Sequence, residues 1–136
     1  TNGITLFLVS AYCSGLHREL ISTADSRGYA NLSFEDLEVS SDAVLGEIDQ
    51  GWEALDAVLD RARAGLGAEM LGCAAQTFDM TLEYLKTREQ YGQLIGSFQA
   101  QGHLAAALFT GLEQARSCAE AALHAIDEDA DNIPNM

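Results

Sequence analysis

The residues best suited to chemistry crowd into one stretch, Thr87 to His103, reading TREQYGQLIGSFQAQGH. Arg88 and Gln90 stand at the end of one helical pattern, and Phe98 and Gln99 at the start of the next, with Gly92 and Gly96 between them. A connector between helices needs a glycine and some polar residues; this one adds a guanidinium, an amide and an aromatic ring. The plain alternative is a solvated arginine at a helix C-terminus, where a cation sits well against the helix dipole. A second pair, Asp60 and Arg63, lies at i and i+3 on one helix face. The plain alternative there is a surface ion pair worth under about 1 kcal/mol. Other titratable groups lack telling partners. His17 and His124 have no Ser, Cys or Asp at catalytic spacing, His103 reads as a packing or hydrogen-bonding residue near the loop, and Glu69 and Glu83 read as solvated helix carboxylates. Cys13, Cys73 and Cys118 form no CxxC or Cys/His spacing, so they read as free buried thiols in a reducing cytosol, and no metal is expected.

The chain has 136 residues, 48% of them hydrophobic, enough for the core of one ordinary domain. Asp and Glu number 21 against 7 Lys and Arg, a formal net charge of -14. Such a surface repels phosphate backbones and acidic membranes, so neither nucleic acid nor membrane is an expected partner. No run approaches the roughly 18 apolar residues of a membrane span. TNGITLFLV is short, has no positive flank and reads as a strand rather than a leader. The expected location is cytoplasmic. The chain lacks an initiating Met, opens close to a strand and closes on an acidic run from Asp127 to Met136, which suggests a piece of a longer polypeptide.

Elements must hold these residues in place. Composition changes near residue 48. Before it, residues 4–9 (ITLFLV), 30–34 and 37–39 read as short strands, with turns at Ser14-Gly15, Ser26-Arg27-Gly28 and Glu35-Asp36. After it, Trp52, Leu55, Val58, Leu59, Ala62, Leu66, Met70, Cys73, Phe78, Leu82 and Leu85 recur at mostly i+3 and i+4 steps, the pattern of an amphipathic helix. Asp49 fits as its N-cap and Gly92 as its C′ residue. Gly65, Gly67 and Gly72 fall inside the helical stripe and read as close-packing positions rather than a phosphate loop. A second helix starts near Ser97 and runs to Ile126, ended by acidic residues and Pro134. The expected fold is α+β. Residues 1–48 form a short antiparallel β segment, and residues 49–136 a long antiparallel helical hairpin within a larger helical bundle. A helix over residues 51–90 would span roughly 60 Å. Two such helices cannot cover each other's apolar faces alone, so oligomerisation is expected.

In this order, the segments resemble the acyl-CoA dehydrogenase family, flavoenzymes that oxidise acyl thioesters. The family carries R-x-Q-[FY]-G, a short turn, then Ile-x-x-Phe-Gln and a nearby His. Here these are Arg88, Gln90, Tyr91, Gly92, Ile95, Phe98, Gln99 and His103. ITLFLV resembles a strand of the family's central β-domain. LSFEDLEVSSDAVLGEIDQGW resembles the passage into its C-terminal helical domain, and LDRARAGLGAEMLGCAAQTFDMTLEYLKTREQYG the long helix that follows. The resemblance covers residues 4–125. Ser40 and Leu94 stand where the family often has proline, and Ala107 where aspartate is common.

The resemblance implies an FAD-dependent enzyme acting on an acyl-CoA substrate, with electron-transfer flavoprotein or a similar acceptor. It places Arg88 and Gln90 on the pyrophosphate of a flavin held mainly by a neighbouring subunit, and Phe98 and Gln99 along the same flavin. A guanidinium forks onto phosphate oxygens, and a helix N-terminus favours anions, so the physics suits that role. It places Asp60 and Arg63 against the substrate. The catalytic carboxylate lies beyond this region in most members and immediately before the arginine in a minority. That position here is Ala62, so no catalytic base is expected among these residues, and the segment alone is expected to be inactive. Arg63 and Arg88 are 25 residues apart, roughly 37 Å along a continuous helix. They should therefore serve different sites in a homo-oligomer, a dimer or tetramer joined through the helical region. Two other readings stay open: a non-catalytic family member acting as an assembly scaffold, and an acyl-CoA oxidase on the same fold.

Overall fold

A computed structural model describes residues 3–25 and 27–128. Ser26 of the expected turn, the acidic run from residue 129 and Pro134 lie outside the described residues. The fold is α+β and mostly helical. The strands are β1 (Leu6–Phe7), β2 (Leu16–Ser22), β3 (Gly28–Phe34), β4 (Val44–Leu45), β5 (Glu89–Gln90) and β6 (Gln93–Leu94); the helices are α1 (Trp52–Thr87) and α2 (Gln99–Asp127). Short 3-10 turns cover Ser41–Ala43 and Ile95–Ser97. Two units divide the chain, residues 1–56 and 57–136.

In the first unit, β2 and β3 form an antiparallel hairpin from Leu16↔Phe34 to Ser22↔Gly28. The sequence reading missed β2 because His17, Arg18 and Glu19 interrupt its apolar residues. Pairing restores the alternation: Leu16, Arg18 and Leu20 lie opposite Phe34, Leu32 and Ala30 on one face. The Arg18 guanidinium lies 5.5 Å from the centre of the Tyr12 ring. The strand expected over residues 4–9 shortens to Leu6–Phe7, because its partner β4 is only two residues long. Residues 37–39 are not a strand; they run between a bend and the Ser41–Ala43 turn. Asp49 is not the cap of α1. Its φ is +63°, its N–H donates to Thr5 Oγ1 at 2.9 Å, and the helix ladder begins later, with Leu55 N–H on the Gly51 carbonyl at 3.1 Å.

In the second unit, α1 and α2 form an antiparallel hairpin. Phe78 meets Phe109 with ring centres 6.2 Å apart. Away from the connection, beyond that pair, the covered positions become small: Ala64 on α1, and Ala119 and Ala122 on α2, are buried. On α1 the covered line is Ala64, Ala68, Leu71, Ala75, Phe78, Leu82 and Leu85. These alternate steps of four and three, the repeat of a seam between two helices.

The expected stripe on α1 merged two faces. Val58, Ala62, Leu66, Met70 and Cys73 are exposed, and only the later part, Phe78, Leu82 and Leu85, joins the seam. A run of four-residue steps drifts about 40° around the helix at each step, so it leaves the seam within three turns. α1 is thus apolar on a second face, with Leu66 55% and Met70 66% exposed. On α2, Leu104 and Leu108 are likewise exposed. The three cysteines are free, but Cys73 and Cys118 are exposed rather than buried, because they sit outside the seam. Gly65 and Gly72 face open space rather than a packed neighbour. No described helix is long and apolar enough to cross a membrane.

Candidate functional site

The connection between the helices is more ordered than a flexible loop. At the end of α1 the Thr87 hydroxyl donates to the Glu83 carbonyl at 2.9 Å, and Lys86 pairs with Glu83 at 2.8 Å. Arg88 follows, with its backbone fixed on both sides. Its N–H donates to the Tyr84 carbonyl at 2.9 Å, and its carbonyl accepts from Ile95 N–H at 2.8 Å. β5 and β6 then pair antiparallel, Glu89↔Leu94 and Gln90↔Gln93, around Tyr91 and Gly92. Both of those residues have positive φ, +55° and +76°. This is a two-residue hairpin turn of type I′. The helix therefore stops at Thr87 rather than reaching Gln90, and Gly92 serves the hairpin instead of capping the helix. Tyr91 adopts the left-handed conformation at a cost of roughly 1–2 kcal/mol, although its ring is 93% exposed. Its edge meets Phe98, with ring centres 6.3 Å apart.

Gly96 fixes the next turn against α1. A Cβ on this residue would stand 2.7 Å from the Leu85 carbonyl oxygen. α2 starts at Gln99, two residues later than expected, because residues 95–97 form the 3-10 turn. Phe98 occupies the N-cap position and offers no side-chain hydrogen bond to the helix. The Ser97 hydroxyl is turned away, donating to the Leu94 carbonyl at 2.6 Å.

The structure gathers four of the predicted site residues on this one connection. Arg88 is exposed, and among the described residues its guanidinium has no carboxylate partner. The Gln90 amide nitrogen donates to the Glu89 carbonyl at 2.7 Å. Phe98 is half-buried under Tyr91, and Gln99 contacts His103, Nε2 to Nε2, at 3.4 Å. An exposed guanidinium, on a connection that leads into a helix N-terminus with no side-chain cap, is suited to an anion.

The other predicted pair lies far from this connection. Arg63 Nη1 donates to Asp60 Oδ1 at 2.7 Å; Asp60 is 29% exposed and Arg63 62%. Ala62 beside them is exposed. α1 is continuous from Trp52 to Thr87, so the 25 residues from Arg63 to Arg88 span roughly 37 Å. The two arginines point within about 20° of the same direction but are not brought together. Among the described residues, no group of three or more His, Cys, Asp or Glu could hold a metal ion. Asp25 in the β2–β3 turn has its carboxyl held below the ordinary carboxylate range by hydrogen bonds from the Thr23 hydroxyl and the Arg27 N–H. That is a turn feature, remote in sequence from either site. Sequence reasoning missed the Gln99–His103 contact, although the i, i+4 spacing signals it.

Residues 49–136 match the family described as acyl-CoA dehydrogenase, C-terminal domain, and the chain belongs to the acyl-CoA dehydrogenase family. It is similar to the mitochondrial short/branched chain specific acyl-CoA dehydrogenase of Bos taurus, 36% identical over 119 residues, covering 84% of this chain and 27% of that protein. It superposes on butyryl-CoA dehydrogenase from Megasphaera elsdenii with a TM-score of 0.86 at 26% identity, covering 95% of this chain and 34% of that one. The FAD complex of PigA gives a TM-score of 0.84 at 26% identity, covering 93% and 34% of the two chains. The chain thus spans between 27% and 34% of the length of these relatives.

Proposed function

We propose that this chain is part of an FAD-dependent acyl-CoA dehydrogenase that oxidises an acyl-CoA thioester at its α,β carbons. The observation that carries this reading is Arg88, exposed and without a carboxylate partner among the described residues, on the short connection that leads into α2, whose start has no side-chain cap. That donor set fits a pyrophosphate. Arg88 would hold it through a forked contact, Gln90 would add a hydrogen bond, and Phe98 and Gln99 would line the rest of the cofactor. When bound, FAD supplies the hydride acceptor that such an oxidation needs. Asp60 and Arg63 would contact the substrate, with Asp60 holding the guanidinium in place until the substrate arrives. The base that removes the α-proton would come from chain outside these residues, since Ala62 carries no carboxylate. The segment by itself would be inactive.

The separation of Arg63 from Arg88 supports an oligomer in which each site takes one of them from each of two chains. The uncovered apolar face of α1, including Leu66 and Met70, supports burial against further helices. The domain boundary we propose is 48/49, with an electron-transfer flavoprotein as electron acceptor and the cytosol as compartment. Free thiols at Cys13, Cys73 and Cys118 are in keeping with that compartment.

A direct test starts from the polypeptide obtained by extending the reading frame on both sides of this segment. It should purify with flavin absorbance, and an acyl-CoA should bleach that absorbance when oxygen is excluded. A folded product that neither holds FAD nor responds to any acyl-CoA would overturn the reading.

A further inference from the structure

We infer that His103 is a positioning residue for Gln99: it decides which end of the Gln99 amide faces the cofactor. The inference rests on the flavin reading of the inter-helix connection. Gln99 is the first residue of α2 and His103 follows one turn later, so the two share a face. Their contact is nitrogen to nitrogen, Gln99 Nε2 to His103 Nε2, at 3.4 Å. An amide nitrogen carries only hydrogens, so the lone pair must come from the imidazole. In this contact His103 Nε2 is the accepting atom. The amide nitrogen is thereby turned back along the helix, and the carbonyl oxygen becomes the outward group. Without an acceptor at position 103 the Gln99 amide can present either end.

The consequence is a division of labour. Gln99 presents an acceptor and would meet a hydroxyl or N–H group of the flavin. Phosphate oxygens are left to Arg88 and to the amides at the start of α2. His103 is exposed, so its replacement costs no core packing.

The test uses a pair of substitutions whose charge and hydrogen-bonding effects oppose each other. His103→Glu supplies only acceptors and keeps the Gln99 orientation. His103→Lys supplies only donors and reverses it. The measurement is the FAD dissociation constant of the complete polypeptide, read by flavin fluorescence, with melting temperature as the check on folding. His103→Glu should stay within about twofold of the parent, and His103→Lys should bind FAD about fivefold more weakly, the scale of one hydrogen bond. A role that is only electrostatic gives the reverse order, because a lysine attracts and a glutamate repels the cofactor's phosphates. In a Gln99→Ala background the lysine variant should lose its disadvantage. If Gln99→Ala weakens FAD but His103→Lys binds as well as or better than His103→Glu, the His103 proposal alone is overturned. If Arg88→Ala and Gln99→Ala both leave the dissociation constant unchanged, the flavin reading fails and this proposal falls with it.

Discussion

Arg88→Ala is expected to raise the FAD dissociation constant of the complete protein by about 10- to 100-fold, the scale of a lost charge-assisted hydrogen bond. Its helix content and melting temperature should not change. Both halves of the expectation come from the same geometry. The Arg88 backbone is held by Tyr84 and Ile95 through groups that alanine keeps, while its guanidinium is exposed and has no carboxylate partner among the described residues. The side chain therefore contributes little to the fold and much to an anion bound there. Arg88→Lys keeps the charge but not the fork, so it should fall between the parent and the alanine variant. Flavin fluorescence and circular dichroism on the three proteins check the expectation. An unchanged dissociation constant in the alanine variant would remove Arg88 from the cofactor site.

The second large effect is expected from Gly96→Ala. The added methyl would stand 2.7 Å from the Leu85 carbonyl oxygen and 3.2 Å from its carbon, both backbone atoms in the last turns of α1. A helix carbonyl cannot swing aside as a flexible side chain can, so the 3-10 turn must lift away. Forcing a group into a packed position costs about 1–3 kcal/mol, which should appear as a lower melting temperature. The lift also moves Phe98 and Gln99, the first residues beyond the turn, so FAD binding should weaken in parallel. Gly102→Ala is the control. That glycine has open space around its Cβ position and lies inside α2, so the same added methyl should be neutral or stabilising. Equal melting temperatures for Gly96→Ala and the parent would show that the turn does not rest on α1 as described.

What the sequence conveyed well was local and periodic. The two helices and the turn between them followed from apolar recurrence and from Gly92 and Gly96. The crowding of Arg88, Gln90, Phe98 and Gln99 around that turn was legible in the residue order, and their reading as a cofactor site came from the family resemblance. What it hid depended on partners. β2 looked polar until β3 lay beside it, since only the pairing sets Arg18 opposite Leu32 and Leu20 opposite Ala30. The seam of α1 was masked because the helix is apolar on two faces, and only the Phe78–Phe109 contact shows which of them α2 covers. Tyr91 gave no sign of a left-handed backbone, because I′ turns favour asparagine or glycine there. The role of Gly96 lies in a carbonyl 11 residues back in the chain, a contact that no local pattern records.

The central claim is that one site is built from two chains, with Arg63 of one and Arg88 of another. The most direct measurement is acyl-CoA oxidation by hybrids of two inactive variants, Arg63→Ala and Arg88→Ala, co-expressed in one cell with different tags and purified through both. In such a hybrid, the chain that keeps Arg63 receives Arg88 from its neighbour, so one site is whole and the other lacks both arginines. The account predicts that each variant alone is nearly inactive and that the hybrid recovers about half the parent activity per dimer. Hybrids as inactive as the two parent variants would mean that both arginines serve the same chain's site, and would contradict the account.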